Sequence, residues 1–466
     1  MPGTVFISGL FTGINWADVI DKIMEVEQKR IDILDEEKDT YENKLSAWQE
    51  LNTKLLNVKT TAEDLADEDA FNVFSVDLTA SSGEAENFVS ASAGTDAQVG
   101  VYDIVIKQLA QAKVDRSQSF SSATDDLNLS GTLELRKTGT TDWTDITIET
   151  TDSLTDIKNK INQYTDQTGV VASIVQYGEN DYRLVLSAQQ TGTSNAFEVG
   201  QTTVAATTDG LGFWDDDFTT ENIVTQAQNA IVNVYGEDAE RSSNTITDLL
   251  PGVTLNLKNA DANVTITLTV NRDVDTIVGN IKNFFDQIND VFEYINNQYV
   301  YAEGDESAPP LMGDSTLSLL QSDLRNKLSS GVTWNSTTHY LFEIGISVDE
   351  NGIYSVDEDT LRDAIVNNFD TVRNLFADTD EATGVAAELD DFLDYITDEY
   401  QEGYIQTRMD EVQTNIDNID KQIEEIERQM DIERERLYEQ FNALETYMAQ
   451  MQQMQQWLEQ QLNALS

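Results

Sequence analysis

From Met409 to the end of the chain every seventh residue is apolar: Met409, Ile416, Ile423, Met430, Leu437, Leu444, Met451, Leu458 and Leu465. A companion column runs through Val412, Ile419 and Ile426, fails at Glu433, resumes at Phe441 and Met448, and reaches Leu462 after a gap at Gln455. Charged and amide residues fill most of the space between. A helix with so narrow an apolar stripe cannot bury it alone; it needs helical partners, either in a coiled coil or as one member of a bundle. The companion column shifts from three residues after the main column to four after it, a change of register that lets the stripe follow the drift of a straighter helix. The run YMAQMQQMQQWLEQQ (Tyr447–Gln461) is rich in adaptable, mostly uncharged side chains, which suit helix packing and suit a surface that exchanges partners equally well.

The other end of the chain offers a partner. After Asn15 no Pro or Gly interrupts the sequence to about Leu65, and Asp18 followed by Asp21 is a helix-start signal. From Tyr41 the large residues fall at Tyr41, Leu45, Trp48, Leu51, Leu55, Val58, Ala62 and Leu65, in the same steps of three and four. Between the two ends the period changes to two. GVYDIVIKQLA (Gly100–Ala110) alternates Val101, Asp103 and Val105 with Ile104 and Ile106, and Val170–Ala188 reads as two strands around Gly178–Asp181. Gly252–Asp273 holds two more strands, joined at Asn259–Ala262. A short amphipathic helix through Leu154, Ile157 and Ile161 precedes the second pair. Helices return over Thr276–Tyr299, with a broad apolar face, and over Ser315–Leu328. If the terminal helices pack on each other, the β region is a nested insertion. The predicted class is therefore α+β, with antiparallel coiled-coil or helical-bundle legs and mainly antiparallel β domains inserted between them. The predicted division is a leg of 1–42 with 408–466, a stalk of 43–72 with 275–407, a β head of 73–115 with 226–274, and an outer head of 116–225. The predicted assembly interface is the Met409–Leu465 column together with Leu45, Trp48 and Leu55.

Composition excludes several kinds of function. Against 28 Lys and Arg stand 85 Asp and Glu, a formal net charge of −57. Such a chain repels phosphate backbones and anionic lipid, so neither nucleic acid nor a membrane is an expected partner. The acids are spread along the chain, as suits a solvated surface in a salty medium. With no Cys, thiolate chemistry, disulfides and Cys-type metal sites are ruled out. The lone histidine, His339, reads as structural. No apolar run approaches the roughly 20 residues that span a bilayer, and no basic residue precedes Lys22, so the N-terminus is not a cleavable secretory signal. Asp215–Asp217 could hold a hard cation, but such a run is ordinary in so acidic a chain. Asp349–Gly352 reads as a tight turn, Gly9 and Gly13 lack the strand and Lys of a phosphate loop, and the sequons at Asn128, Asn263 and Asn335 are weakly specific. No catalytic, cofactor-binding or metal-binding residue is assigned, and no enzyme is expected.

Several blocks match a known pattern in order. Gly9-Leu10-Phe11-Thr12-Gly13-Ile14-Asn15 is similar to Gly-Leu-x-Ser-Gly-Ile-Asp, with Thr12 and Asn15 as departures. AWQELNTKLLNVKT (Ala47–Thr60), GVYDIVIKQLAQA (Gly100–Ala112) and NAIVNVYGEDAERSSNTITDLLPGVTLNL (Asn229–Leu257) follow, then PLMGDSTLSLLQSDLR, FEIGISVDENG and QFNALETYMAQM. In these blocks the chain resembles the bacterial flagellar filament cap family over essentially its whole length. Its extreme acidity departs from the family pattern. The resemblance implies a homo-oligomer, most typically a pentamer, at the distal filament tip, with helical legs below a plate of β domains, retaining flagellin and promoting its polymerisation. It implies export through the flagellar channel without a cleaved signal, an extracellular location, no cofactor, and flagellin, junction proteins and an export chaperone as partners. It also points to Gly9, Leu10, Gly13 and Ile14 as the family's N-terminal motif. Alternatives are another flagellar axial subunit, at the junction or in the filament, and a surface adhesin binding through its β domains.

Overall fold

The computed structural model describes residues 13–200, 210–214, 221–300, 308–398 and 403–465. The fold is α+β. It divides into a helical unit, made from the two ends of the chain up to Ala70 and from Val278 onward, and a β unit, Phe71–Ile277.

The helical unit opens with α1 (Trp16–Ala66). Gly13, at φ +75°, supplies a left-handed turn before it, and Asn15 is its extended N-cap. The helix starts two residues before Asp18. Its buried residues, Ile20, Met24, Ile31, Ala47, Trp48, Leu51, Leu55, Val58, Ala62 and Leu65, keep to one stripe.

The β unit begins with β1 (Phe74–Ala80), β2 (Val89–Ala93) and β3 (Gly100–Gln108). The chain then runs through β4 (Val114–Arg116), β5 (Gly131–Lys137), β6 (Thr144–Ile148), α2 (Leu154–Asn162), α3 (Thr165–Thr168), β7 (Val170–Gly178), β8 (Asp181–Ala188), β9 (Phe197–Val199) and β10 (Ile223–Thr225). It returns through β11 (Ala230–Val234), β12 (Glu237–Arg241), β13 (Thr245–Leu250), β14 (Val253–Leu257) and β15 (Ile266–Arg272). Among the described residues, the first and last groups form an antiparallel sheet ordered β1-β15-β3-β11-β12 and a second ordered β13-β14-β2. Ile104, Ile106, Val232, Leu255, Leu268 and Val270 belong to their common core, while Val101 points outward, as the alternation of β3 requires. The two strands of Gly252–Asp273 do not pair with each other. β14 binds β13 and β2, and β15 binds β1 and β3, so their connection passes from one sheet to the other.

The middle group has its own core. Sheets ordered β10-β4-β8-β7 and β6-β5-β9 enclose Leu133, Ile146, Leu184, Leu186 and Phe197 together with Leu154, Ile157 and Ile161 of α2. A capping box starts α2: Ser153 Oγ accepts from Asp156 N at 3.2 Å, and Ser153 N donates to the Asp156 carboxylate at 3.0 Å. β7 and β8 form a hairpin through Glu179 and Asn180, and Asn180 takes the positive φ of 59° that Asn tolerates. An ionic cluster is buried beside this core. Lys113 Nζ lies 3.0 Å from Asp115 Oδ2, contacts Glu221 Oε1, and donates to the Phe197 carbonyl at 3.1 Å.

The helical unit resumes with α4 (Val274–Asn297) and α5 (Ser315–Ser329). Then come two small hairpins, β16 (Val332–Trp334) with β17 (Thr337–His339) and β18 (Ile346–Val348) with β19 (Tyr354–Val356). Helices α6 (Glu358–Asn367), α7 (Phe369–Phe376), α8 (Val385–Thr397) and α9 (Tyr404–Leu465) complete it. The broad face of α4 buries Ile277, Ile281, Phe284, Phe285, Ile288, Val291, Phe292 and Ile295. Phe284 and Phe285 meet Phe376 edge-on with ring centres 6.2 Å apart, and Phe285 stacks on Tyr354. His339 stacks on Trp334 at 4.1 Å and lies 2.9 Å from Glu343, a structural setting. Asp349–Gly352 is the turn between β18 and β19, with Gly352 at φ +86°. Among the described residues no cluster of His, Asp or Glu is arranged to hold a metal, and no helix is long and apolar enough to cross a membrane. Asp215–Asp217 lie outside the described residues.

Candidate assembly interface

The pairing of α1 with α9 answers the heptad column with a partner from the same chain. Two contacts far apart give its direction. Near the start of α1, Trp16 stacks on Phe441 with ring centres 4.3 Å apart, and its Nε1–H donates to Glu445 Oε1 at 2.7 Å. Further along α1, Lys38 Nζ lies 2.7 Å from Asp420. One helix advances as the other recedes, so the pair is antiparallel. Between these contacts Ile20, Met24 and Ile31 pack with Met430 and Leu437, flanked by half-buried Ile423, Ile426, Tyr438 and Phe441. Each fully buried aliphatic side chain stabilises such a seam by about 1.5–3 kcal/mol.

Three anchors fix where α9 begins. The Asp314 carboxylate caps α5, accepting from Thr316 N at 2.9 Å, and accepts from Arg408 Nη2 at 2.8 Å. That pair holds Arg408 in its charged form, raising its already high pKa. Gly403 lies against the end of α8, where a methyl group would overlap the Ile396 carbonyl. Ile405, fully buried, closes the junction. Along the second half of α1 its partner is α8, and there Lys59 Nζ lies 3.0 Å from Asp394. The Tyr294 hydroxyl of α4 donates to the Ala47 carbonyl at 2.7 Å.

The predicted interface residues divide by position. Met409, Ile416, Met430 and Leu437 and the companions Val412 and Ile419 are buried, and Ile423 is half-buried. Trp48 and Leu55 are buried and Leu45 half-buried. Leu444, Met451 and Leu458 are 39%, 46% and 49% exposed. Past Leu437 the buried line moves to Phe441 and Glu445, spaced by four rather than alternating three and four. Gly13 and Ile14 are exposed, just before α1. Gly9, Leu10 and the Leu465 side chain lie outside what is described.

Sequence reasoning missed the first half of the α1 stripe, Ile20, Met24 and Ile31. The signal was present: positions 20, 24, 27, 31, 34, 38, 41, 45 and 48 alternate steps of four and three, but Glu27 and Lys38 occupy two of them. Lys38 keeps its charge at the seam margin through the hydrogen bond with Asp420, which raises its pKa. Also missed were apolar residues on the outer side of the pair: Ile23, Val26 and Ile33 of α1 and Ile432 of α9, all exposed.

Known proteins resemble this chain. Residues 12–113 match the flagellar hook-associated protein 2 N-terminus family, residues 227–453 its C-terminus family, and residues 132–190 the flagellin hook IN motif. The flagellar hook-associated protein 2 of Salmonella typhimurium is 28% identical over 350 residues, 72% of each chain. That of Escherichia coli K12 is 27% identical over 467 residues, 97% of each chain. The crystal structure of the D1-D2-D3 domains of the flagellar cap protein FliD from Escherichia coli aligns with a TM-score of 0.65 at 27% identity, over 78% of this chain and 99% of that one.

Proposed function

We infer that this chain, which belongs to the flagellar hook-associated protein 2 family, is the cap of a flagellar filament: a structural protein that retains flagellin at the distal tip and promotes its folding and polymerisation. The observation that carries this reading is the pair of family matches, over residues 12–113 and 227–453, which take in both helical ends and the first and last strands of the β unit, with relatives aligned over almost their full length. The same matches favour the cap over a junction or filament subunit and over an adhesin. The chain acts by holding and releasing partners; we assign it no reaction and no cofactor.

The paired helices suggest how it works. The described part of α1 starts at Trp16, level with Phe441 and Glu445, whereas α9 continues to Leu465, about 30 Å further at 1.5 Å per residue. Along that extension Leu444, Met451, Met454, Trp457, Leu458 and Leu462 are exposed. We propose that this stretch docks against neighbouring subunits and flagellin helices. Contacts by flexible Met and Leu side chains, few of them charged, can be remade as the cap advances. We also propose the four-part division into leg, stalk, head and outer head, a pentameric ring, and export through the flagellar channel without a cleaved signal.

The test is immunogold labelling of the β unit on intact flagellated cells. Label confined to distal tips is the expected result. Label along filaments or at the hook junction would make this another axial subunit, and label on the cell body would overturn the flagellar reading.

A further inference from the structure

The outward face of the sheet ordered β10-β4-β8-β7 departs from the composition of the rest of the chain. On β7, the outermost strand, Val171, Val175 and Tyr177 are 39%, 37% and 55% exposed. Register places Arg183 of β8 opposite Val175, and Arg116 of β4 opposite Val185. The guanidinium groups of Arg116 and Arg183 each lie 5.6 Å from the centre of the Tyr177 ring. Arg183 is paired with Asp181 at 2.8 Å, and Asp181 also accepts from Ser119 Oγ at 2.7 Å. Arg116 forms no ion pair among the described residues, and its buried Nε has no hydrogen-bond partner. In a chain with 85 acidic and 28 basic residues, two arginines therefore converge on one exposed tyrosine within an apolar surround.

Physical chemistry narrows what such a face would hold. Tyr and Arg, ringed by apolar side chains, are the residues that dominate binding at protein interfaces. Cation–π contact orients the guanidinium groups; Asp181 takes the Nε–Nη2 edge of Arg183, so donation to a further carboxylate falls to the remaining Nη of Arg183 and to the terminal nitrogens of Arg116. Two copies of a chain of charge −57 repel at long range, so their association needs a place where positive charge is concentrated against the other copy's acids.

We propose that Arg116, Arg183, Tyr177, Val171 and Val175 form a contact by which one copy of this chain grips an acidic surface of a second copy. This inference rests on the self-assembly proposed above and assigns one of its surfaces.

The test uses the full chain and measures mass by light scattering across a concentration series. Arg116→Glu with Arg183→Glu is expected to weaken self-association about tenfold or more, and Val175→Asp provides a second, uncharged-to-acidic handle on the same face. Lys137→Glu with Lys258→Glu makes the same charge change elsewhere on the β unit and is expected to leave the mass unchanged. The difference between the arginine variant and the native chain should narrow as salt is raised to about 1 M. Native-like circular dichroism shows that each variant is folded. If the arginine and Val175 variants assemble like the native chain, or if the lysine control fails equally, the assignment is overturned while tip labelling still stands as support for the cap. If the native chain stays monomeric at every concentration, both the assignment and the self-assembly reading fall.

Discussion

Two halves of α9 carry one heptad column into different surroundings. From Met409 to Leu437 the column lies against α1, mostly buried; from Leu444 to Leu458 the same spacing leaves each side chain 39–49% exposed. The main column keeps its seven-residue spacing through the change; only its companion shifts, failing at Glu433 and resuming one place later at Phe441. What differs is the partner: the described part of α1 reaches only to Trp16, which closes the seam on Phe441 and the buried carboxylate of Glu445. A periodic stripe thus specifies what a helix is able to bury, while the length of its neighbour decides how much of it is buried within one chain.

This contrast can be broken or sharpened by substitution. The largest effect is expected where an aromatic ring is enclosed: Trp48→Ala should cost about 3–5 kcal/mol in urea unfolding. The same truncation at Trp457, 58% exposed, should stay within about 0.5 kcal/mol. Next, Leu437→Ser should cost roughly 2–4 kcal/mol, in the range of other buried truncations. Leu444→Ser with Leu458→Ser should leave the melting temperature of the free chain unchanged and yet abolish tip labelling; retained labelling would remove the docking role proposed for the extension.

A smaller effect separates a buried ion cluster from an exposed one. Burial, reinforced by the Glu221 carboxylate and opposed by Lys113, pushes Asp115 up to about 8. The folded chain therefore holds a proton between roughly pH 4 and 8 that the unfolded chain releases, so this group's contribution to stability falls as pH rises through that window. Thermal melts at about pH 5.5 and 8.5 should show the loss, and Asp115→Asn should flatten it. At the Lys38–Asp420 pair, on the seam margin, Lys38→Met should leave the urea midpoint unchanged within the scatter of repeat measurements.

Strong periodicity over long segments was legible. The stripe of α9, the second half of α1 and the broad face of α4 each follow from residue spacing, because burial along a long helix repeats one constraint many times. The first half of α1 was hidden because Glu27 and Lys38 sit at stripe positions, reaching water past the seam. In the β unit, β3 and the β7–β8 hairpin were legible from alternation and from Asn180, whereas β5, β6 and β9 were not. β6 and β9 are too short to show a period, and in β5 the alternation reaches only from Leu133 to Leu135 before two consecutive charges, Arg136 and Lys137. Sheet membership was illegible for β14 and β15, since their alternation is alike and only packing sends them to different sheets. At the interface the column was readable; its division into buried and exposed halves was not, because that depends on a second helix more than four hundred residues away in sequence.

Phe74 lies opposite Arg272 and Ala80 opposite Ile266, so the strands by which the chain enters and leaves the inserted unit are neighbours in one sheet. Antiparallel neighbours stand about 5 Å apart. In chain statistics, a folded insert whose ends are that close acts on its host as a loop of a few residues, not as the whole Phe71–Ile277 stretch. The entropy of bringing α1 and α4 together is then independent of what the insert contains. Its middle group of strands, β4 to β10, can lengthen, shorten or be exchanged with little effect on that closure, provided β1 and β15 stay paired.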